Sequence, residues 1–496
     1  MTRDAAHTPH AAQFRIDLRS AMRWLSGKLP VVAEKHACDG VVRGIAILLR
    51  AWELLVITFA LQLGMLPLMA GDFHRVTMSA PLVNLVAVPL TGIIVPLGFV
   101  ALGSALVVPL VGRMLAIPVG WCVVLLVHIV DWFARFPRWS YRIPGPPVWL
   151  IVVFFAAGAA MCFALRGIRL GSPWPARIAG IVLAASAAAI ATFPFSPSWS
   201  RGKLELTVLD VGQGDSLFVV SARGKTMLID GGGTFGGFSG HEEHNGPDPG
   251  EDAVSPYLWS RGFQKVDIVA LTHAHQDHIG GLTAVLQNFR VGTLMLGREE
   301  SSAALATLEN LARQERIPIV HETRGTTLAW DGAEARFLWP EPAPDATLAE
   351  PNNNDSLVLR LRYGNREFLL PGDAEKQAEN AILSENDGAT LRADVLKVGH
   401  HGSKNSTMPE FLDAVRPSIA IISAGENNPY GHPSPDLLAR LQSAGARILR
   451  TDRNGAVQIL TDGNALETRC YLDCGEKASR TDSARSEPPD REQDPE

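Results

Sequence analysis

The stretch Val266-Asp267-Ile268-Val269-Ala270-Leu271-Thr272-His273-Ala274-His275-Gln276-Asp277-His278-Ile279-Gly280-Gly281 decides how the chain is read. An apolar run of strand length flows straight into three histidines and an aspartate. Side chains alternate along a strand, so His273 and His275 at its end can point the same way. Asp277 and His278 follow in the turn and can reach a second metal a few ångströms away. Imidazoles with a carboxylate suit Zn²⁺, Mn²⁺ or Fe, and the flanking glycines let the backbone turn tightly.

Other short apolar runs end in similar chemistry. Leu204–Leu209 alternates as a strand and ends at Asp210-Val211-Gly212-Gln213-Gly214-Asp215. Ser216–Val220 and Lys225–Ile229 read as a hairpin ending at Asp230-Gly231-Gly232-Gly233. Glu367–Leu370 ends at Pro371-Gly372-Asp373, where a carboxylate can bridge two metals. Val395–Val398 ends at Gly399-His400-His401-Gly402-Ser403, and Ile419–Ser423 leads to Asn428-Pro429-Tyr430-Gly431-His432-Pro433. Taken alone, each later histidine is as readily an ordinary turn residue; with the first motif they read as one site. Tyr430 can hydrogen-bond a substrate or simply pack. Lys397, Lys404 and Arg261 are candidate phosphate contacts, as is Ser403 for substrate, against the plain alternative of solvated surface. His241 and His244 sit in a Gly-rich loop with Glu242 and Glu243, either a metal group or a solvated insertion.

The 496 residues leave room for two or three domains. Roughly the first 200 are dominated by Ala, Val, Leu, Ile, Phe, Pro and Gly. Leu54–Ala70, lengthened upstream by Gly44–Leu49, is close to span length; Arg50 and Glu53 lie three apart and can pair on a helix. Pro81–Val111 is almost uncharged and carries Pro89 and Pro96, so it predicts two short or broken helices. Ile117–Phe133, with His128, then Val148–Leu165 and Ile178–Phe193 complete five or six membrane segments. Asn84, Pro89, Pro96 and His128 mark either a broken helix lining a path or ordinary packing and kinks. Residues 1–43 are basic (Arg15, Arg19, Arg23, Lys28, Lys35, Arg43), as befits a cytoplasmic flank. The loop Arg166–Arg177 has three arginines and no acid, which favours the cytoplasm, but Arg135, Arg138 and Arg142 in the preceding loop nearly tie it. A net charge of −6 gives no global reason to bind nucleic acid. Cys122 and Cys162 read as inert thiols in apolar stretches, whereas Cys470 and Cys474 can pair if that end lies outside the cell. The tail at 476–496 reads as disordered.

The order Asp-Gly-Gly, His-x-His-x-Asp-His, Gly-Asp, His-His-Gly-Ser and Tyr-Gly-His-Pro resembles the metallo-β-lactamase superfamily. Asp210–Asp215, Leu396–Ser403 and Tyr430–Pro433 resemble one branch of it, the ComEC-type competence proteins that form the DNA-internalisation channel of natural transformation. So do Leu61-Gln62-Leu63-Gly64-Met65-Leu66-Pro67-Leu68 and Asn84-Leu85-Val86-Ala87-Val88-Pro89-Leu90. The resemblance runs from about Arg43 to about Leu460. It implies a basic N-terminal segment (1–43), a multi-pass α-helical membrane domain (44–197), an αββα metallo-β-lactamase-type hydrolase domain (200–475) and the tail. Full-length members begin with further helices and a small β domain, so the chain is expected to match the C-terminal part of such a protein, a shorter relative or a split gene product.

The resemblance also implies roles. His273 and His275 hold a first metal; Asp277 and His278 hold a second; Asp373 bridges them. Asp230 is the aspartate that orients the histidine loop by hydrogen bonds, with Asp210 in a similar supporting place. His400, His401 and His432 compete for the last ligand place and for the proton-donor role. Many binuclear relatives carry one more histidine where this chain has Asn352-Asn353-Asn354-Asp355-Ser356, so the first metal has fewer protein ligands or uses Asp355 or Asn354. The expected cofactors are two divalent ions, Zn²⁺ or Mn²⁺. The expected partners are DNA, of which one strand is transported, membrane lipid, other DNA-uptake machinery and another copy of the chain. The expected place is the inner (cytoplasmic) membrane, with the hydrolase domain extracytoplasmic. The leading function is a phosphodiesterase that degrades one strand of incoming DNA, with Asp277 orienting the attacking water. Two further readings are a membrane-tethered hydrolase of small phosphoesters or esters, and a DNA-transport module with a degenerate, non-catalytic metal site.

Overall fold

The computed structural model describes residues 31–136, 139–167, 173–233, 248–298, 302–342, 352–385 and 391–475, with a few scattered positions before residue 31. Arg15, Arg19, Arg23, Lys28, Arg138, His241, His244 and the tail at 476–496 lie outside the described residues. The chain divides into two compact units, Met1–Pro194 and Phe195–Glu496.

In the first unit, long apolar segments satisfy their own backbone groups as helices, the one open form that suits a lipid environment. These are α1 (Val31–Asp72), α2 (Ala80–Val107), α3 (Pro109–Ala134), α4 (Val148–Gly167) and α5 (Trp174–Thr192). All five are long and apolar enough to cross a membrane. The Arg50–Glu53 pair forms on α1 at 3.4 Å. The expected break inside Pro81–Val111 does not occur: Pro89 and Pro96 lie within the single helix α2. Each proline removes one ladder bond, and the surrounding apolar residues gain nothing by leaving the helix. The chain turns instead at Val108, extended at φ −134°, immediately before Pro109. His128 Nδ1 lies 2.7 Å from the Val124 carbonyl of its own helix. Two short strands, β1 (Arg75–Thr77) and β2 (Ser140–Arg142), pair antiparallel with Val76 opposite Tyr141. They join the α1–α2 connection to the α3–α4 connection, and the Tyr141 hydroxyl donates to the Ala191 carbonyl near the end of α5 at 2.9 Å.

The second unit is built on two sheets. One runs β17-β16-β3-β4-β5-β6-β7-β8. Its strands are β3 (Leu204–Val208), β4 (Leu217–Val220), β5 (Thr226–Ile229), β6 (Lys265–Leu271), β7 (Arg290–Leu296), β8 (Ile319–His321), β16 (Val457–Thr461) and β17 (Leu466–Cys470). The other runs β15-β14-β13-β12-β11-β10-β9. Its strands are β9 (Thr327–Trp330), β10 (Ala333–Trp339), β11 (Val358–Tyr363), β12 (Arg366–Leu370), β13 (Val395–Lys397), β14 (Ile419–Ile422) and β15 (Arg447–Arg450). The expected hairpin forms, with Leu217 of β4 opposite Ile229 of β5.

Period-two patterning sorts each strand between layers. Leu217, Val219, Met227, Ile229, Phe368, Leu370, Ile419 and Ile421 meet in the core between the sheets. Phe218, Val220 and Leu228 face outward with Leu258, Leu282 and Leu305. These last come from α6 (Ser255–Ser260), α8 (Leu282–Asn288) and α9 (Ala303–Gln314), which flank the short α7 (Gln276–Ile279). Leu369, Leu396 and Ile422 face the other way, onto Ile382, Phe411 and Leu437. Those residues belong to α10 (Lys376–Glu385), α11 (Pro409–Val415) and α12 (Pro435–Ser443). The order of layers is αββα.

Strands β5 to β8 run parallel, as do β12 to β15. Their C-terminal ends are where ligands gather in sheets of this kind. Cys470 and Cys474, at the end of β17, are joined by a disulfide.

Candidate metal centre

The histidine loop leaves the end of β6, and its backbone is clamped by the two glycine-rich turns beneath it. Asp215 N donates to the Asp277 carbonyl at 3.1 Å, Gly231 N to the His278 carbonyl at 2.7 Å, and Gly281 N to the Gly232 carbonyl at 3.0 Å. The contact leaves no space for side chains: a Cβ on Gly214, at φ +149°, would stand 2.4 Å from the Asp277 carbonyl oxygen. The glycines of Asp210–Asp215 and Asp230–Gly233 are therefore part of the site's construction.

Four side chains converge on one point. Ligand atoms of Asp277, His278, Asp373 and His401 all lie within 4.8 Å of one another. Asp373 Oδ2 is 3.2 Å from His278 Nε2 and 3.4 Å from His401 Nε2, and His401 Nε2 is 3.2 Å from Asp277 Oδ2. Asp277 and His278 come from the end of β6; Asp373 and His401 follow β12 and β13. The centre is therefore made jointly by both sheets.

The imidazoles are aimed by their other nitrogens. His278 Nδ1 lies 2.8 Å from Asp230 Oδ2. Asp230, itself at φ +60°, also accepts from Thr272 N and Thr272 Oγ1 at 2.7 Å each. His401 Nδ1 lies 3.1 Å from the Ser423 carbonyl. The residues fit a divalent cation. Asp373 Oδ1 is buried without a hydrogen-bond partner among the described residues, and His278 Nε2 is buried against the other oxygen of that carboxylate; a buried polar group does not tolerate such a state without compensation. Burial opposes a charge on His278, yet the facing carboxylates of Asp373 and Asp230 hold its pKa well above the usual histidine value. A field that holds a proton on a buried imidazole also attracts a metal ion in its place. Burial likewise opposes a charge on Asp277, but the His401 hydrogen bond and the nearby His278 keep its carboxyl well below the usual range.

His273 and His275 form a second, smaller group. His273 Nε2 and His275 Nδ1 face each other at 2.9 Å. Burial, reinforced by the charge of His278, keeps the His273 pKa well below normal, so this ring is a neutral imidazole. Ser356 Oγ, 3.3 Å from His273 Nδ1, occupies the segment where a further histidine was sought, and it accepts from Asp373 N at 3.2 Å. Asp355 is paired with Arg298 at 3.2 Å, and Asn354 accepts from Ala378 N at 3.1 Å. Neither is in the four-donor group.

The last histidines separate. His401 is buried among the donors. His400, at φ +44°, is partly exposed; its Nδ1 is 2.8 Å from Glu375 Oε1 and its Nε2 is 3.9 Å from Asp373 Oδ2. His432 stands one ring further out, its centroid 5.5 Å from that of His400. Burial and the charges of His400 and His401 lower the His432 pKa to about 4.

Three expectations need correction. Lys397 is not a surface contact for phosphate. It is 1% exposed, ion-paired with Asp215, and 3.8 Å from Asp373 Oδ1. It shares strand parity with Val395, whose side chain is in the core between the sheets. Asp210 does not support the histidine loop: it is exposed and accepts from Gly212 N at 3.3 Å. The last residue of that motif, Asp215, stands there instead, with Oδ1 3.5 Å from His401 Nδ1. Arg261 is spent on Glu205 Oε2 at 2.6 Å and the Ser198 carbonyl at 2.8 Å. Lys404 remains exposed, while Ser403 is buried and accepts from Asn405 N at 3.3 Å.

Sequence reasoning also missed Glu375, Ser356 and Glu379. Glu379 is buried on α10 and accepts from Thr407 N and, at 2.8 Å, from Met408 N, bracing the loop that carries His400 and His401. None of the three has a local signal, because each acts on a residue more than 20 positions away.

Two family models match separate parts of the chain. Residues 30–167 match the family model described as Competence protein, and residues 209–426 match that of the Metallo-beta-lactamase superfamily. ComE operon protein 3 of Bacillus subtilis is 32% identical over 418 residues, covering 82% of this chain and 51% of that protein. Competence protein ComA of Neisseria gonorrhoeae is 28% identical over 395 residues, 78% of this chain and 48% of that protein. The chain thus spans about half the length of the curated relatives it matches. Among solved structures, the metallo-beta-lactamase fold protein YhfI from Bacillus subtilis is 13% identical with a TM-score of 0.32, covering 50% of this chain and 95% of that one. CmlA, a diiron beta-hydroxylase from Streptomyces venezuelae, is 18% identical with a TM-score of 0.34, covering 63% of each chain.

Proposed function

The chain is a relative of the ComEC-type competence proteins in which a membrane segment precedes a metallo-β-lactamase-superfamily domain, and from that premise we propose that it is a membrane component of DNA uptake whose hydrolase domain cleaves phosphodiester bonds in one strand of the incoming DNA. The observation that carries the reading is the convergence of Asp277, His278, Asp373 and His401 within 4.8 Å, with the buried His278 Nε2 turned into the group.

A divalent ion held there, Zn²⁺ or Mn²⁺, supplies a Lewis acid for a phosphodiester and an activated water. The protein's own groups do the rest. Asp230 fixes the His278 ring through Nδ1, and the Ser423 carbonyl does the same for His401. Asp277 is the most open of the four donors, with 36% of its side chain exposed, and its low pKa keeps it a carboxylate that can orient the attacking water. His400 is the proton donor to the leaving oxygen: Glu375 holds its Nδ1, and the ring is open to solvent beside Asp373. His432, with a pKa of about 4, is neutral at pH 7 and is a poorer acid for that step.

The disulfide, read with the membrane topology, supports an extracytoplasmic hydrolase domain. Five spans put the start of α1 and the end of α5 on opposite sides. The β1–β2 ladder groups the α1–α2 and α3–α4 connections on the side where α5 ends. Arg43, Arg113, Arg166 and Arg177 fall on the other side, against Arg75, Arg135, Arg138 and Arg142 on this one, so charge is nearly balanced and the compartment rests on the disulfide. The Cys470–Cys474 disulfide belongs to an oxidising compartment. The membrane in question is the inner membrane, and other uptake proteins would deliver and draw in the DNA.

The test is cleavage of linear single- and double-stranded DNA by the detergent-purified chain with Mn²⁺, Zn²⁺ or EDTA, beside an Asp277→Ala, His278→Ala variant. Metal-dependent cleavage lost in the variant supports the reading. A folded, metal-loaded protein that leaves DNA intact refutes it.

A further inference from the structure

Among the described residues of Phe195–Glu496, the exposed large apolar side chains are Tyr430, Tyr471 and Leu472. The last two lie beside the disulfide at the end of β17. Tyr430, 52% exposed, lies instead beside the metal centre. Its ring stacks on His432 at 5.8 Å and 26°, and His432 meets His400 edge-on at 5.5 Å and 76°. His400 Nε2 in turn is 3.9 Å from Asp373. These rings form a staircase from solvent to the donors.

The loop that presents Tyr430 is fixed from within. Asn428 Oδ1 accepts from His432 N at 3.0 Å, while Asn428 Nδ2 donates to the His432 carbonyl at 2.6 Å and the Gly425 carbonyl at 2.9 Å. Gly431 takes φ +68°, which its lack of Cβ allows. A polar cleft of about 450 Å³ opens alongside, lined by residues that include Asn427, Asn428, His432, Arg450 and Arg453. That volume is within the range of small-molecule pockets. Arg450 is held by Asp452 at 2.9 Å, and Glu426 also lines the cleft, so the cleft is not a simple cationic channel for a phosphate backbone.

A half-exposed aromatic ring on a braced loop, one ring away from the histidine proposed as proton donor, suits a flat ligand. We propose that Tyr430 is a stacking platform for an unpaired nucleobase next to the scissile phosphate. The proposal rests on the phosphodiesterase reading and adds what that reading lacks, a reason for the site to select single-stranded or frayed nucleic acid. Stacking on an aromatic side chain is tolerant of base identity, because every base has a π-face, so the platform confers a preference for strand state without sequence preference.

The experiment uses the full chain in detergent with Mn²⁺ and two fluorescein-labelled, nuclease-resistant phosphorothioate oligomers, one of thymidine and one abasic throughout. Anisotropy gives the affinities. The wild type is expected to prefer the thymidine oligomer, and Tyr430→Ala to lose on the order of tenfold for that oligomer alone. Tyr430→Phe and Tyr430→Trp are expected to retain most of the affinity, since neither needs the hydroxyl. The proposal is overturned if Tyr430→Ala binds thymidine as tightly as the wild type, if it weakens both oligomers equally, or if the wild type binds neither. Cleavage of an ordinary thymidine oligomer by the wild type is scored separately. Base-dependent binding without cleavage fells the hydrolase reading and leaves the platform standing, while cleavage with no base dependence in binding does the reverse.

Discussion

Replacing Lys397 by Met keeps the aliphatic stem and removes the charge. Lys397 ends β13 in one sheet, and its partner Asp215 precedes β4 in the other; each side chain is 1% exposed. The variant leaves the Asp215 carboxylate buried without its cation. Breaking a buried pair on one side costs about 3–5 kcal/mol, which for a domain of this size lowers Tm by on the order of 10 °C. Adding Asp215→Asn removes the stranded charge, and the double variant is expected to regain about half of the loss. Thermal unfolding of residues 195–475 would be followed by circular dichroism, with chelator present so that metal binding does not enter. A loss under ~1 kcal/mol at pH 7 for the single variant, or strict additivity in the double, would refute the buried-pair argument.

Three other outcomes follow from the same geometry. Asp230→Asn disturbs the bond that aims His278 and is expected to weaken divalent-metal binding on the order of 10- to 100-fold, read by competition with a chromophoric chelator. Metal content should be unequal: four donors meet at Asp277, His278, Asp373 and His401 against two facing nitrogens at His273 and His275, so mass spectrometry after dialysis should find one tightly held ion, lost in His401→Ala and kept in His273→Ala. Two equally tight ions in the wild type would contradict this. Burial raises the Glu379 pKa to about 7, despite the Met408 and Thr407 amides that favour its charge. A raised folded pKa means stability present below the unfolded value near 4.5 and lost as pH climbs through about 7, a swing of about 3 kcal/mol. Glu379→Gln should therefore flatten Tm between pH 5 and 8, and an unchanged slope would exclude Glu379 as its source.

What was legible in the sequence was whatever repeats over a few residues. The alternation in Leu204–Leu209 located a strand, the short apolar runs around Lys225 located a hairpin, and the spacing from His273 to His278 gave away a donor loop. What could not be read was set by partners far along the chain. In Asp210-Val211-Gly212-Gln213-Gly214-Asp215 either aspartate has the right chemistry; only the approach of Lys397 and His401, over 180 residues on, makes Asp215 the buried one. Lys397 looked like a surface cation because lysine usually is one, although its parity with Val395 pointed inward. Pro89 and Pro96 suggested breaks because proline ends helices in water, whereas α2 is apolar throughout its length.

The donors at the end of β6 and those after β12 and β13 belong to different halves of the sandwich, and the Lys397–Asp215 pair crosses the same seam. A cation there is a rivet as well as a reagent. Starved of metal, the domain would lose a fastening as well as its chemistry, and its two halves would be free to breathe apart at the edge where the donors meet. Metal supply and the gape of the site would then be one variable, so that a protease probing that edge could report the occupancy of the centre without any substrate being present.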